Sequence, residues 1–204
     1  MQVFEVDDRA PSWESHSPRF RMYVFEGATG LTTRLDFVDA RLKDVLDAGE
    51  VAERDGRLWS VAAVVDDANG TGLVWLIGMD YDSPPATAAE RRARAEMQDR
   101  YLARRSQHVQ PLTLPDGRRV IRFFVDHGHR WPLWESFADE YTRTPDELGL
   151  SADLKAGLRR WYDEWEPVAL DDGPPPEWYV EGRRLAAATQ KELGDIAEVR
   201  IEFE

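Results

Sequence analysis

The sequence predicts an α+β fold: a ferredoxin-like sheet domain of split β-α-β-β-α-β order that carries a Trp-rich helical extension at its C-terminus. Three observations predict it. Between residues 18 and 126, short apolar runs with strand-like alternation are separated by segments whose apolar residues recur every three to four positions. Read in order, these runs give strand, helix, strand, strand, helix, strand. Beyond residue 130 helical spacing dominates, and Trp131, Trp134, Trp161, Trp165 and Trp178 place five of the eight tryptophans in 48 residues. The expected organisation is a polar lead over 1–17, a sheet domain over 18–130 and a helical extension over 131–204 packed on it. With 204 residues, 42% of them hydrophobic and 11% aromatic, the chain can build a substantial core.

The first element is the alternating run from Phe20 to Phe25, closed by the turn Gly27-Ala28-Thr29-Gly30. Leu31 to Leu35 reads as a hairpin partner, one strand more than the split order needs. Val38, Leu42, Val45 and Leu46 then fall at helical spacing, and Gly49 is expected to end that helix. Leu58 to Val65 is apolar and rich in β-branched residues, the mark of a buried strand. The turn cluster Asp66 to Gly72 joins it to a second such run, Leu73 to Met79, as a hairpin. Thr87 and Glu90 form a capping box that opens a helix to about Ser106, with a narrow apolar stripe of Ala89, Ala93, Met97 and Tyr101. Leu114 to Gly117 is a turn, and Arg119 to Val125 is the last strand of the predicted sheet.

In the extension, Thr144, Pro145 and Glu147 have the cap, N1 and N3 chemistry of a short helical turn. Ser151 caps a clearer helix, with Leu154, Leu158, Trp161 and Trp165 on one face. Large aromatics at this spacing normally supply core area, so the stripe is expected to face inward. The break from Asp171 to Pro176 precedes a third helix from about Glu177 to Leu193, stopped by Gly194, and Ile196 to Phe203 alternates as a closing strand. Trp131-Pro132-Leu133-Trp134-Glu135, Leu148-Gly149-Leu150-Ser151, Trp161 with Trp165, and Gly182-Arg183-Arg184-Leu185-Ala186 with Glu192-Leu193-Gly194 together resemble the C-terminal portion of acidic, uncharacterised proteins from high-GC actinobacteria. That resemblance covers about a third of the chain and implies no activity.

Charge is unevenly spread. The net charge is −13, yet residues 86–130 hold ten basic side chains against five acidic ones. Arg91, Arg92, Arg94, Arg100, Arg104 and Arg105 lie within fifteen positions, so they spread around much of a helix. The local acids Glu90, Glu96 and Asp99 cannot balance them, so the rest must reach the acidic C-terminal segment, solvent or an anionic partner, and the first is the expected counterpart. A strongly negative molecule repels polyanions, which disfavours nucleic acid and anionic membrane as partners. The N-terminus has no basic, apolar leader pattern and no run reaches the length of a membrane helix, so a cytoplasmic location is expected. Absence of cysteine excludes disulfides, thiolate zinc sites and Cys nucleophiles.

Two clusters carry candidate chemistry. Asp80 and Asp82 follow one buried strand; Asp126, His127 and His129 follow another. In the split order these strand ends share one sheet edge about 10 Å apart, two interstrand spacings. Carboxylates and imidazoles that close could hold zinc, manganese or iron through nitrogen and oxygen. Asp80-x-Asp82 is also similar to the nucleophile strand of haloacid-dehalogenase-type phosphatases, but Ser83-Pro84 and Gly78 depart from that pattern and no convincing later Lys follows. No phosphate-binding glycine loop and no Gly-x-Ser-x-Gly is present. The sequence therefore favours a non-enzymatic, cytoplasmic protein-binding module acting through its acidic surface, with an immunity- or antitoxin-like protein as the concrete form of that expectation. The alternative is a metal-dependent hydrolase built on Asp80, Asp82, Asp126, His127 and His129.

Overall fold

A computed structural model describes residues 3, 14, 16–26, 30–106, 112–138, 140–165 and 173–203. Most of the predicted polar lead, the turn residues Gly27 to Thr29 and the pair Asp171-Asp172 lie outside the described residues.

Four strands, β1 (Arg19–Glu26), β2 (Leu31–Phe37), β3 (Leu58–Asp67) and β4 (Gly70–Ile77), form an antiparallel sheet in the order β2-β1-β3-β4. Helix α1 (Leu42–Arg54) joins the two hairpins, and α2 (Ala88–Arg105) follows the second. Period-two alternation sends neighbouring residues of β1 to opposite faces. Phe20, Met22 and Val24 pack with Val45 and Ala52 of α1 and with Trp59 and Val61 of β3. Tyr23 and Phe25 pack on the other face with Leu58 and with Met97, Tyr101 and Leu102 of α2. The sheet is thus covered on both sides.

Two boundaries of α1 differ from the sequence reading. Val38 is exposed and Asp39 takes a left-handed φ of 55°, so the helix starts only after Arg41. It then runs through Gly49 to Arg54. A Cβ on Gly49 would lie 2.7 Å from the Trp59 ring, so this glycine admits the indole and does not end the helix. The expected β3–β4 hairpin forms, but its loop is only Ala68-Asn69: Asp66 and Asp67 extend β3, Gly70 to Gly72 begin β4, and β4 ends at Ile77, because pairing continues to Asp67↔Gly70.

The remaining strands, β5 (Arg119–Phe123), β6 (Leu133–Trp134) and β7 (Ala197–Ile201), make a second sheet in the order β6-β5-β7, in which β5 is antiparallel to β6 and parallel to β7. The parallel pair requires a crossover, and helices α3 (Ala152–Trp165) and α4 (Pro176–Leu193) supply it. The ferredoxin-like arrangement is therefore corrected. The chain is α+β, but β2 takes the edge beside β1, every pairing in the first sheet is antiparallel, and β5 belongs to another sheet. The boundary drawn at 130/131 falls inside that second sheet, since β5 pairs with strands from the extension. Complementary side chains decide this: Ile121 and Phe123 join Leu133, Leu154, Leu158, Trp161, Trp178 and Leu185 in one core.

Helix α2 lies between the two sheets. Its Met97, Tyr101 and Leu102 face the first sheet in a core that also takes in Leu112, Leu114 and Val120. Its Arg94 and Gln98 bond to Glu198 on β7. Among the described residues no helix is long and apolar enough to cross a membrane.

Candidate functional site

The two predicted clusters end up in different surroundings. Asp80 closes the turn after β4: its carboxylate accepts the Asp82 backbone N–H and the Ser83 hydroxyl, both at 3.2 Å. This loop crosses the end of the first sheet, so that Asp82 accepts a 2.6 Å hydrogen bond from the Thr32 hydroxyl on β2. Asp126, at the second sheet, accepts the His127 backbone N–H at 2.8 Å. The His127 ring packs 4.6 Å from the Trp165 ring, whereas His129 packs 4.5 Å from Trp134 and 6.4 Å from Tyr141. The two imidazoles thus serve different aromatic contacts. Nowhere among the described residues do three His, Cys, Asp or Glu side chains gather closely enough to hold a metal ion. The shared sheet edge on which the site rested does not exist, because β4 and β5 belong to separate sheets.

What the structure does bring together is an ionic seam between α2 and the second sheet, centred on Glu198. Its carboxylate receives Arg94 Nε at 2.9 Å, Arg118 Nη2 at 3.0 Å and Gln98 Nε2 at 2.6 Å. Arg94 also donates to the Tyr81 carbonyl at 2.8 Å and lies 3.8 Å over the Tyr81 ring. Both Arg94 and Glu198 are mostly buried, at 12% and 14% side-chain exposure. Burial alone would push the Glu198 carboxyl up. The hydrogen bonds from Arg94 and Gln98 and the charges of Arg94 and Arg118 outweigh it, so the carboxyl sits below its ordinary value. Tyr81 goes the other way: burial, then the Glu198 charge, raises its hydroxyl to about 12.

The seam continues along β7. Arg200 donates to Asp99 of α2 at 2.9 Å and to Glu202 at 2.6 Å, and Arg122 of β5 reaches Glu202 at 2.7 Å. Glu135 holds a second centre, bonded to Arg119 and, at 2.7 Å, to Arg143. Its carboxyl too is lowered, the two arginines outweighing burial. A cleft of about 250 Å³ opens beside the seam, with Phe25, Leu31, Tyr81, Asp82, Arg94 and Arg118 among its walls. Its two arginines are already engaged by Glu198 and Asp116. The cleft therefore adds shape and aromatic surface, with its cations already balanced.

Glu198, Glu202, Glu135 and Gln98 were not among the candidate site residues read from the sequence. One signal could have found the first two: Glu198, Arg200 and Glu202 alternate with apolar residues, which places all three on one face of a strand. The third surface of note is the outer edge of β4. Residues 68–79 carry no charged side chain, Val74 and Leu76 are 54% and 44% exposed, and among the described residues β4 pairs only with β3. Comparison of the chain with protein-family models, with curated proteins and with solved structures finds no match.

Proposed function

We propose that this chain is a non-enzymatic, cytoplasmic protein-binding module whose acidic surface takes a basic protein partner, in the manner of an immunity protein or antitoxin. The observation that carries this reading is the engagement of half of the basic band, five of its ten arginines, with glutamates of the molecule itself. Arg94 and Arg118 pair with Glu198, Arg100 with Glu53, Arg119 with Glu135 and Arg122 with Glu202. Five arginines of the band thus meet four glutamates within the molecule, and the chain as a whole carries −13. A field of that sign steers cationic partners and speeds their association. The lack of cysteine accords with a reducing compartment. The hydrolase alternative needs Asp80, Asp82, Asp126, His127 and His129 at one point, and it loses the support of a shared sheet edge because β4 and β5 lie in different sheets.

Calorimetric titration with cationic proteins of different shapes, cytochrome c and polylysine among them, tests the reading. Association with a Kd below roughly 10 µM with a folded cationic protein, at least about tenfold tighter than with polylysine and weakened by salt, supports it. Equal binding to polylysine, or no binding to any cation, removes it.

A further inference from the structure

Strand β7 is an edge of the second sheet, and its outer side is only partly used. The ladder with β5 is parallel, and two bonds set its phase: Arg119 N–H donates to the Ile196 carbonyl and Glu202 N–H to the Phe123 carbonyl. Even-numbered residues from Ile196 to Glu202 therefore turn their backbone groups to β5, and Ala197, Val199 and Ile201 turn theirs outward. Gln190 of α4 takes the first outward pair. Its side-chain amide donates to the Ala197 carbonyl at 2.9 Å and accepts the Val199 N–H at 2.8 Å. A carboxamide thus stands where a further strand would lie. The next pair along the edge, the Val199 carbonyl and the Ile201 N–H, repeats the same pattern two residues on and meets no partner among the described residues.

Val199 and Ile201 line a pocket of about 110 Å³ between β7 and α2, together with Pro85, Ala95, Gln98 and Arg200. Glu198 and Arg200 send their side chains to α2, so alternation sends those of Val199 and Ile201 to the opposite face, where they pack against the core of Leu158, Trp161 and Leu185. What the two residues present to the pocket is their backbone. Gln98, fully buried, adds a third unused group: its Nε2 donates to Glu198 at 2.6 Å and to the Tyr81 hydroxyl at 3.1 Å, while its Oε1 has no partner among the described residues. Exchanging the two amide atoms would set Oε1 against the Glu198 carboxylate, so the orientation is fixed. A buried acceptor without a donor is costly, because its hydration is lost and nothing replaces it. The buried cations of the wall are already satisfied. Arg94 is held by Glu198, and Arg200 by Asp99 and Glu202. Arg91, also on the wall, donates to the Ala86 carbonyl at 3.4 Å.

We propose that this pocket binds a primary carboxamide, carried by a free small molecule or by an Asn or Gln side chain of another protein. The ligand carbonyl accepts the Ile201 N–H and one ligand N–H donates to the Val199 carbonyl, repeating the Gln190 contact. The second ligand N–H donates to Gln98 Oε1. Two acceptors and one donor on the wall call for two donors and one acceptor on the ligand, and a primary amide has both on adjacent atoms. A carboxylate brings no donor, and an alkylammonium no acceptor. The volume is the share of roughly three to four waters, enough for a carboxamide with a short alkyl group. This site is apart from the acidic surface assigned to a basic partner, and either can fail without the other.

Nuclear magnetic resonance titration of the full chain tests it. Propionamide is expected to shift the Ile201 backbone and Gln98 side-chain amide signals saturably, with a Kd of roughly 0.1–10 mM for so small a ligand. Butanone has the same shape with a methyl in place of the amide nitrogen; it and propionate should each bind at least about tenfold more weakly. Ala95→Leu, which fills the pocket, abolishes the shifts, and Gln98→Met, which keeps the stem and removes the acceptor, weakens binding at least about tenfold. The ligand series uses the unaltered chain, so it decides the matter even where Gln98→Met fails to fold. Gly-Gln-Gly binding tighter than propionamide assigns the site to a protein side chain, and weaker binding assigns it to a free carboxamide. Equal affinity for propionamide and butanone overturns the proposal in favour of a plain apolar cavity. Propionate binding tightest overturns it in favour of an anion site on the arginines. No saturable shift up to about 50 mM overturns it as well, leaving water as the occupant.

Discussion

At the scale of single residues, the second core turns on two tryptophans. Trp161 of α3 and Trp178 of α4 stack with ring centroids 4.2 Å apart and planes 14° from parallel. Each indole N–H donates to the other's backbone carbonyl, at 2.9 and 3.0 Å. The pair thus buries two large apolar surfaces without leaving either polar tip unbonded, the condition under which buried Trp is stabilising. Gly182 makes room for it, since a Cβ there would lie 2.5 Å from the Trp161 ring. Trp161→Ala is expected to cost about 3–5 kcal/mol, read from urea unfolding, because it opens a cavity and removes the indole N–H that the Trp178 carbonyl accepts. Gly182→Ala, a one-carbon change, is expected to destabilise by about 1–3 kcal/mol through overpacking. A wild-type midpoint for Gly182→Ala would mean that the α3–α4 contact is loose enough to yield.

At the scale of elements, α2 shows why a helix with six arginines and a narrow apolar stripe is stable here. Its stripe residues Met97 and Tyr101, with Leu102, are buried against the first sheet, while Arg94, Gln98 and Asp99 bond to β7. The arginines spread around the circumference because two faces of the helix are in use. Glu198 is the hinge of this contact. Glu198→Gln removes the charge that holds Arg94 and Arg118, and a loss of about 3 kcal/mol is expected for breaking a buried pair from one side. The pH dependence has a definite sign. The Glu198 and Glu135 carboxyls sit below the ordinary 4.5, so their stabilisation is complete above that pH and is lost as pH falls through their lowered values. Melting temperature should therefore fall steeply below about pH 4.5, and less steeply in Glu198→Gln, as a calorimetric pH series would read. Identical slopes would place the acid-sensitive groups elsewhere.

At the scale of the whole molecule, α2 ties the two sheets into one unit. Val120 of β5, with Leu112 and Leu114, shares a core with Tyr23 and Phe25 of β1. Neither sheet can lose its partner without exposing that core. Thermal unfolding is expected to be a single transition in which near-UV circular dichroism, sensitive to the Trp161–Trp178 stack, coincides with far-UV loss of the sheets. Two separated transitions would show that the sheets melt independently and that α2 belongs energetically to only one.

The sequence by itself determined the kinds of element and most of their places. The capping box at Thr87 and Glu90, the β3–β4 hairpin and the inward stripe of Leu154, Leu158 and Trp161 follow from local chemistry and periodicity, and the structure has all three. Local rules fell short where the meaning of a residue depends on a distant neighbour. Gly49 reads as a stop until the Trp59 ring is placed against it. Pairing of strands was beyond them as well: β5 has the same alternation whether it closes the first sheet or lies parallel to β7, because period two says which face a side chain takes and nothing about which strand lies alongside. The predicted Asp/His site rested on that pairing and fell with it. The ionic seam arose by the same route. Glu198 and Arg94 are 104 positions apart in the chain, and only the packing of β7 on α2 makes them one site.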